Sequence, residues 1–199
     1  MIELYTDRAL RALVLAGDEA GTAGSRRIET EHLLLGLLRD AAEPAYEGRS
    51  PDQDARPHEP DPIGVTALRA LGVDPRDLEA RVREAQSPDT PVPPPKRMSR
   101  RLERATARAL LEGRILRDNY VGTEHLLLGL LWVRRGKAAQ ALAAFGVDRR
   151  TVLREAVRGV EPQRAELKRW ASGLVERNAS FRTAAATMEG PRFRRGRAS

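Results

Sequence analysis

The sequence predicts an all-α protein built from two copies of one four-helix unit. The string Thr-Glu-His-Leu-Leu-Leu-Gly-Leu-Leu occurs twice, at Thr30–Leu38 and at Thr123–Leu131. A second related block follows each copy, at Ala67–Asp74 and at Ala141–Asp148, so the chain contains an internal duplication. Composition agrees, because 32% of the residues are charged and only 4% are aromatic, which is typical of a helical protein with an aliphatic core.

The first two helices and an insertion account for the first third of the chain. Thr6 is expected to cap a helix from Asp7 to about Gly21, where apolar residues recur at helical spacing. Thr30 is expected to cap a second helix that runs to about Arg39. The stretch 41–62 contains five prolines and an excess of acids, which predicts a mobile surface loop inserted into the first copy.

Residues typical of helix ends and helix starts define the next two helices of the first copy. A third helix at about Gly64–Leu71 should end at Gly72, which tolerates the left-handed conformation. Asp74 and Pro75 have the chemistry of a cap and a first-turn proline, and they start a fourth helix that ends near Ala85. Residues 1–86 therefore form the first repeat, and the proline-rich stretch 87–97 forms a stiff linker.

The second repeat, residues 98–160, follows the same plan. Gly36 and its counterpart Gly129 lie in the middle of their helices, where glycine costs about 1 kcal/mol relative to alanine. This repeated cost predicts a close helix–helix crossing in each copy, with the two copies packed as one pseudo-symmetric eight-helix domain. The helices of the second copy are expected to start at Ser99, Thr123, Lys137 and Asp148 and to end near Leu116, Val133, Ala144 and Arg158.

The C-terminal region differs from the repeats in pattern and charge. Residues 161–178 are predicted to form an amphipathic helix, and residues 179–199 a disordered basic tail. The chain carries a net charge of +7, and from Glu161 onward nine Lys/Arg face four acids. Arg192–Arg197 with Phe193 could contact nucleic acid, so a basic nucleic-acid-binding regulator is the alternative function. A short arginine cluster is more often a solvated tail.

Composition also bears on compartment and chemistry. The chain has no cysteine, which excludes disulfides and thiolate metal sites and fits a reducing compartment. No apolar run is long enough to cross a bilayer, and the first residues lack the regions of a signal peptide. We therefore expect a cytoplasmic protein with no membrane contact.

The doubled motif resembles the Clp repeat, the N-terminal domain of ClpC-type and ClpA-type AAA+ unfoldases. Tyr5–Ala9 opens the first copy in the same way, and Asn119–His125 is similar to the ClpC pattern throughout. The resemblance covers about Met1–Val160. It implies an eight-helix domain that binds client proteins, adaptors and, in ClpC-type proteins, arginine-phosphorylated proteins.

The chain departs from the family's unfoldases in two respects. No Gly-x-x-x-x-Gly-Lys-Ser/Thr loop occurs in the sequence, so we expect a stand-alone, non-enzymatic N-domain that acts as an adaptor or decoy of a ClpC-type unfoldase. Its partners would be Clp unfoldase or protease components, adaptors or clients, with phosphoarginine or a peptide antibiotic as possible ligands. The insertion and the tail are not part of the family pattern.

Each Thr-Glu pair of the motif lies at a predicted helix start. Unpaired backbone N–H groups and the helix dipole favour an anion there, and the threonine hydroxyl adds a donor. A glutamate beside it can accept a guanidinium. The resemblance implies phosphoarginine binding at Thr30 and Glu31 and at Thr123 and Glu124. Ordinary helix capping explains the same residues, and both interpretations stay open.

We expect the second of these sites to be the better one. Glu29 stands where the second copy has Gly122, and it places a like charge near any phosphate. Arg26 and Arg27 replace Asn119 and Tyr120 and offset that charge in part.

Other candidate residues carry weaker signals. The family's exposed aromatic near the start of each repeat corresponds to Ile2 and Met98, which with Thr6 and Ser99 make a candidate partner or ligand surface. These residues could equally cover the edge of the core. His32 and His125 lack a partner at ligand spacing, so local hydrogen bonding is favoured over metal binding. No nucleophile and base pattern is present, so neither a metal nor a cofactor is expected.

Overall fold

The computed structural model describes residues 5–43, 59, 61–86, 90–158, 164–169 and 171–173. Within these ranges the secondary structure is helical, with no strand beyond two isolated bridges, which confirms the predicted all-α class. No helix in these ranges is long and apolar enough to cross a membrane. The helices are α1 Asp7–Thr22, α2 Thr30–Ala42, α3 Ile63–Ala70, α4 Pro75–Glu84, α5 Arg100–Ile115, α6 Thr123–Trp132, α7 Lys137–Ala144 and α8 Arg149–Arg158, and residues 164–169 and 171–173 are also helical.

Side-chain caps start several helices as the sequence predicts. Thr6 accepts a hydrogen bond from the amide of Ala9 at 3.1 Å, and Ser99 accepts one from Leu102 at 3.2 Å. Asp74 caps α4 ahead of Pro75. The predicted caps of α2 and α6 are wrong by one position, because Thr30 and Thr123 are already the first helical residues. The cap positions are Glu29 and Gly122, so neither threonine hydroxyl is used as the cap of its helix.

The mid-helix glycines mark close helix crossings, as predicted. α1 packs on α2 and α5 packs on α6. A Cβ on Gly36 would overlap the backbone of Ala12 in α1, and a Cβ on Gly129 would overlap the backbone of Ala105 in α5. Only hydrogen at these positions allows the two backbones to approach this closely. Leucines 33, 34, 37 and 38 of α2 and 126, 127 and 130 of α6 are buried around these crossings.

The residues that open each repeat pair with residues of the other repeat. Tyr5 pairs with Val121, and the equivalent residues Met98 and Ile28 pair in the reciprocal contact. The Thr6 amide donates to the Val121 carbonyl at 3.0 Å, and the Ser99 amide donates to the Ile28 carbonyl at 2.9 Å. Each repeat therefore places the cap of its first helix beside the start of the other repeat's second helix.

The segments outside the repeat pattern are described in part. Glu59 is fully buried, so the predicted surface loop is wrong at this residue, which is held by polar groups of both repeats. Leu167 and Ala171 of the predicted C-terminal helix are buried with Ile63, Tyr120 and Ala156. The linker amide of Val92 bonds to the carbonyl of Gly21 at 2.9 Å. Residues 41 and 42 of the predicted insertion belong to α2, and residues 44–58 and 60, like the predicted basic tail 179–199, lie outside the described residues.

Candidate functional site

The start of α6 holds a buried carboxylate from the insertion. The Glu59 side chain accepts hydrogen bonds from the Thr6 hydroxyl at 2.7 Å and from the Thr123 amide at 3.2 Å. It also accepts from the Ile63 amide at 2.8 Å and from the Thr123 hydroxyl. Four donors from the cap of α1, the start of α3 and the start of α6 thus converge on one carboxyl group.

The backbone of Glu59 is fixed as firmly as its side chain. Its amide donates to Asp7 Oδ1 at 2.9 Å, and its carbonyl accepts from Arg8 Nε at 2.8 Å. Arg8 in turn forms a buried ion pair with Asp40 at 3.0 Å. The first turn of α1 therefore positions the residue, and the carboxyl group is directed to the start of α6.

Glu124 places a second buried carboxylate at the same helix start. Its side chain is fully buried, and neither oxygen accepts a hydrogen bond from any residue that the structure describes. Its Oε1 lies 3.3 Å from His125 Nδ1, but that nitrogen accepts the Gly122 amide proton at 3.0 Å. The Nδ1 lone pair is therefore engaged by the Gly122 amide, and this nitrogen donates no hydrogen bond to Glu124.

Glu124 affects the ionisation of Glu59. Burial, and then repulsion by Glu124, raise the pKa of Glu59 to about 8 against the opposing effect of its hydrogen bonds from Thr123, Thr6 and Ile63. The Glu59 carboxyl group therefore keeps its proton at neutral pH. Glu59 accepts four hydrogen bonds, whereas neither oxygen of Glu124 accepts one from the described residues.

The C-terminal helix closes the other side of this site through Asp118. Arg164 donates to Asp118 Oδ2 at 2.7 Å, Lys168 lies 2.7 Å from Oδ1, and His125 Nε2 lies 3.1 Å from Oδ2. Burial raises the pKa of Asp118, but the hydrogen bonds from His125, Lys168 and Arg164 outweigh it and hold the pKa at about 2. Both segments that depart from the repeat pattern therefore meet at the second helix start.

The same cluster is the one set of described residues with metal-ligand proximity. One ligand atom each of Asp118, Glu124 and His125 lies within 4.8 Å of the others. The sequence analysis found no partner for His125, and the structure supplies two. Asp118 already faces Arg164 and Lys168, however, and these positive charges oppose the binding of a further cation.

The start of α2 has a different geometry and contains an open cavity. Thr30 donates to Glu31 Oε2 at 3.2 Å, and Lys137 Nζ lies 3.3 Å from Glu31 Oε1. A cavity of about 210 Å³ borders these residues and is also lined by Arg101 and Arg135. Thr30 and Glu31 are themselves buried, but the Lys137 side chain that covers them is half exposed. The ammonium group of Lys137 is thus the more exposed partner of the Glu31 carboxylate at this cavity.

The two helix starts differ in how enclosed they are. Thr123 and Glu124 are both fully buried, and Thr123 already bonds to Glu59. Thr30 and Glu31 face a cavity with three cationic side chains, those of Arg101, Arg135 and Lys137, which outweigh the negative charge of Glu29. Which site binds more tightly stays a prediction, but only the first is open in this structure.

The predicted partner or ligand surface at the start of each repeat is largely buried where the structure describes it. Thr6 is fully buried, Ser99 is nearly so, and both cap helices. Met98 is half buried against the core beside Ile28. Ile2 lies outside the described residues.

The sequence analysis missed Glu59 and Asp118. Glu59 stands four residues before α3, in a stretch whose many acids and prolines gave no reason to single it out. The sequence does contain a signal for Asp118, which is a charged residue at the position where the first repeat has Ser25. A further unpredicted feature is Trp132, which is 55% exposed beside a groove at the far end of α6 and lies under Arg108 at 4.5 Å.

Comparison with known sequences finds relatives over most of the chain. The family described as "Clp repeat (R) N-terminal domain" matches residues 58–145 and 97–167. The "Negative regulator of genetic competence ClpC/MecB" of Bacillus subtilis (strain 168) is 32% identical over 148 residues. The "ATP-dependent Clp protease ATP-binding subunit ClpA homolog" of Cyanidium caldarium is 31% identical over 158 residues. Each match covers 74% of this chain but only 16% and 15% of the respective relative.

Solved structures show the same fold at lower identity. The N-terminal domain of the caseinolytic protease associated chaperone ClpD from Arabidopsis thaliana has a TM-score of 0.54 and 21% identity, covering 81% of this chain and 97% of that one. The Hsp104 N-terminal domain from Candida albicans has a TM-score of 0.57 and 19% identity, covering 78% and 91%. At these identities the likeness concerns the fold alone.

Proposed function

This chain belongs to the Clp repeat N-terminal domain family, and on that premise we propose that it is a non-enzymatic protein-binding module of the Clp protease system. Its ligand site is the cavity at the start of α2, bounded by Thr30, Glu31 and Lys137. The ligand is a phosphoarginine side chain of a client or adaptor protein. The chain acts beside a ClpC-type unfoldase, as an adaptor or as a decoy.

The chemistry of the cavity carries this proposal. A phosphoarginine side chain presents a phosphoryl group directly bonded to a guanidinium, so its site needs cations and a carboxylate within a few ångströms. Glu31 supplies the carboxylate, and its present partner is the ammonium group of Lys137 at 3.3 Å. Arg101 and Arg135 line the same cavity and would supply positive charge for the phosphoryl group. The ligand's guanidinium would replace Lys137 at Glu31 and leave the lysine for the phosphoryl oxygens.

One matched relative is named as a Clp protease subunit, which supports a role for this module in that system. Matched relatives carry the equivalent segment within proteins that are about six times longer, one of which is named as an ATP-binding subunit of the Clp protease. A domain that shares their fold can share their ligands. It then delivers clients to the unfoldase or competes with the unfoldase's own N-domain for them.

The test is a calorimetric titration of free phosphoarginine into wild type and single variants. Glu31→Gln removes the charge that pairs with guanidinium, and hydrogen bonds to charged groups contribute about 1.5–3 kcal/mol. We expect affinity to fall at least about tenfold. Glu84→Gln is the matched control, because Glu84 is exposed on α4 and pairs only locally with Arg81. The proposal fails if Glu31→Gln binds as tightly as the control. Recovery of nucleic acid from a lysate, with steep salt dependence, would favour the alternative function.

A further inference from the structure

The second repeat exposes large apolar side chains on one face of α5 and at the end of α6. Leu111 is 42% exposed and Ile115 is 53% exposed. Both lie on the face of α5 that carries Arg108, at spacings of three and seven residues. Arg108 Cζ in turn lies 4.5 Å from the centre of the ring of Trp132, which is 55% exposed. Single exposed apolar residues are ordinary, but a group of them marks an interaction surface.

A groove beside Trp132 is large enough to accept a side chain of another molecule. Its volume is about 740 Å³, and it lies where the end of α6, the helix α7 and the start of α8 meet. Leu131, Ala139, Ala143 and Val147 provide apolar walls. The groove therefore suits an aliphatic or aromatic side chain that packs against the tryptophan.

A buried carboxylate fixes two arginines at the edge of this groove. Glu112 is fully buried and accepts hydrogen bonds from Arg108 Nε at 2.9 Å and from Arg149 Nε and Nη2 at 3.0 and 2.7 Å. Arg149 lines the groove, and so does the exposed Arg134. Two guanidinium groups on one carboxylate keep a net positive charge, and their orientation is set before a ligand arrives.

The first repeat shows that the fold does not require this apolar surface. Glu19 is its buried equivalent of Glu112, and it pairs with Arg39 at 3.5 Å and with Arg83 at 3.0 Å. Among the described residues of the first repeat, Val14 is the one large apolar side chain that is exposed. Counted from the shared Thr-Glu-His motif, the equivalent positions are polar: Asp18 for Leu111, Thr22 for Ile115 and Arg39 for Trp132.

We propose that the Trp132 face, made of Leu111, Ile115, Trp132 and the groove beside them, docks an acidic segment of a partner protein. An apolar side chain of that segment enters the groove, and neighbouring carboxylates pair with Arg108, Arg134 and Arg149. This surface is separate from the cavity at the start of α2, so the inference does not depend on phosphoarginine binding.

Charge complementarity determines the sign of the partner. Residues 98–160 contain 13 Lys/Arg and six Asp/Glu, and three of those acids are buried, whereas residues 1–86 contain 11 Lys/Arg and 17 Asp/Glu. The second repeat is therefore the basic half of the molecule and attracts an acidic partner. Exposed aliphatic side chains such as Leu111 and Ile115 favour a polypeptide over nucleic acid, because single-stranded nucleic acid binds to cations and stacking aromatics.

A library of random dodecapeptides displayed on phage is the probe, selected on the full-length wild-type protein. We expect the enriched sequences to combine several Asp or Glu residues with a Trp, Phe or Leu. The most enriched peptide, labelled and followed by fluorescence anisotropy, should lose affinity at least about tenfold with Trp132→Ala and at least about threefold with Leu111→Ala. Enrichment of sequences without acidic residues, or no enrichment, overturns the proposal.

Val14→Ala is the matched control, because Val14 is an exposed apolar residue of α1 outside the Trp132 face. It should leave the affinity for the peptide unchanged, and thermal unfolding of all three variants checks that they are folded. Equal losses with Val14→Ala and Trp132→Ala contradict the assignment of the face. Equal binding of a peptide whose apolar residues are replaced by alanine, or full displacement by an oligothymidylate, shows that only charge is recognised and also overturns it.

Glu31→Gln separates this inference from the proposed function. It removes the carboxylate of the α2 cavity but should not change the affinity for the selected peptide. If the peptide binds at Trp132 and phosphoarginine does not bind, the docking surface stands and the proposed ligand is wrong. If phosphoarginine binds and the peptide is insensitive to Trp132→Ala, the proposed function stands and the docking surface is wrong.

Discussion

Asp118 is the residue whose surroundings make the sharpest prediction about stability. It is fully buried as a side chain and contacts Arg164, Lys168 and His125. Removal of one partner of a buried ion pair leaves the other charge uncompensated, which costs about 3–5 kcal/mol. We expect Asp118→Asn to lower the free energy of unfolding by about 3 kcal/mol, measured by urea denaturation at pH 7.

Lys168→Ala provides the control for that prediction. Lys168 is 37% exposed on its side chain and pairs with the same carboxylate, so its loss should cost less than about 1 kcal/mol. The pH dependence follows from the lowered pKa of Asp118. Its stabilising effect is complete above the unfolded pKa of about 3.9 and is lost as pH falls through about 2. Equal losses in the two variants would contradict this account of Asp118.

At the scale of the helices, Gly36 and Gly129 determine how closely α2 packs on α1 and α6 packs on α5. Alanine at Gly36 or Gly129 would improve helix propensity by about 1 kcal/mol, but its Cβ would overlap backbone atoms of the facing helix. Backbone cannot rotate away as a side chain can, and overpacking of a core costs about 1–3 kcal/mol. We expect Gly36→Ala and Gly129→Ala each to destabilise the protein by about 2 kcal/mol, measured by thermal unfolding.

Gly17 in α1 provides the opposite case within the same pair of helices. A Cβ there would meet only the Ile28 side chain, at an ordinary contact distance of 3.9 Å. Gly17→Ala should therefore stabilise the protein by about 0.5–1 kcal/mol. A stabilising effect of alanine at Gly36 would show that the crossing is looser than described.

Helices and caps were largely predictable because they depend on neighbouring residues. The hydroxyl at Thr6, the carboxylate at Asp74 and the left-handed Gly72 act within one turn of chain. The caps of α2 and α6 were predicted one position too late, at Thr30 and Thr123 instead of Glu29 and Gly122. The threonine hydroxyls bond to side chains outside the local capping pattern, Glu31 in one copy and Glu59 in the other, and local capping rules do not distinguish these uses.

At the scale of the whole molecule, each candidate site is made by both repeats. The cap of α1 lies at the start of α6, and the cap of α5 lies at the start of α2, because Tyr5 pairs with Val121 and Met98 with Ile28. The duplication in the sequence predicts two equivalent helix starts but not this exchange. It also gives no indication that Glu59 reaches a residue 64 positions away, since long-range contacts of a proline-rich segment leave no periodic pattern.

The central claim is that the ligand site lies at the start of α2, which borders a cavity, and not at the start of α6, where the threonine is bonded to Glu59. The most direct measurement is a titration of ¹⁵N-labelled wild type with phosphoarginine, followed by amide chemical shifts. We predict saturable shifts at Thr30, Glu31 and Lys137, with the amides of Gly64 and Thr123 unchanged. Shifts at Gly64 and Thr123 in the wild-type protein, or no saturable shift at Glu31, would contradict the account.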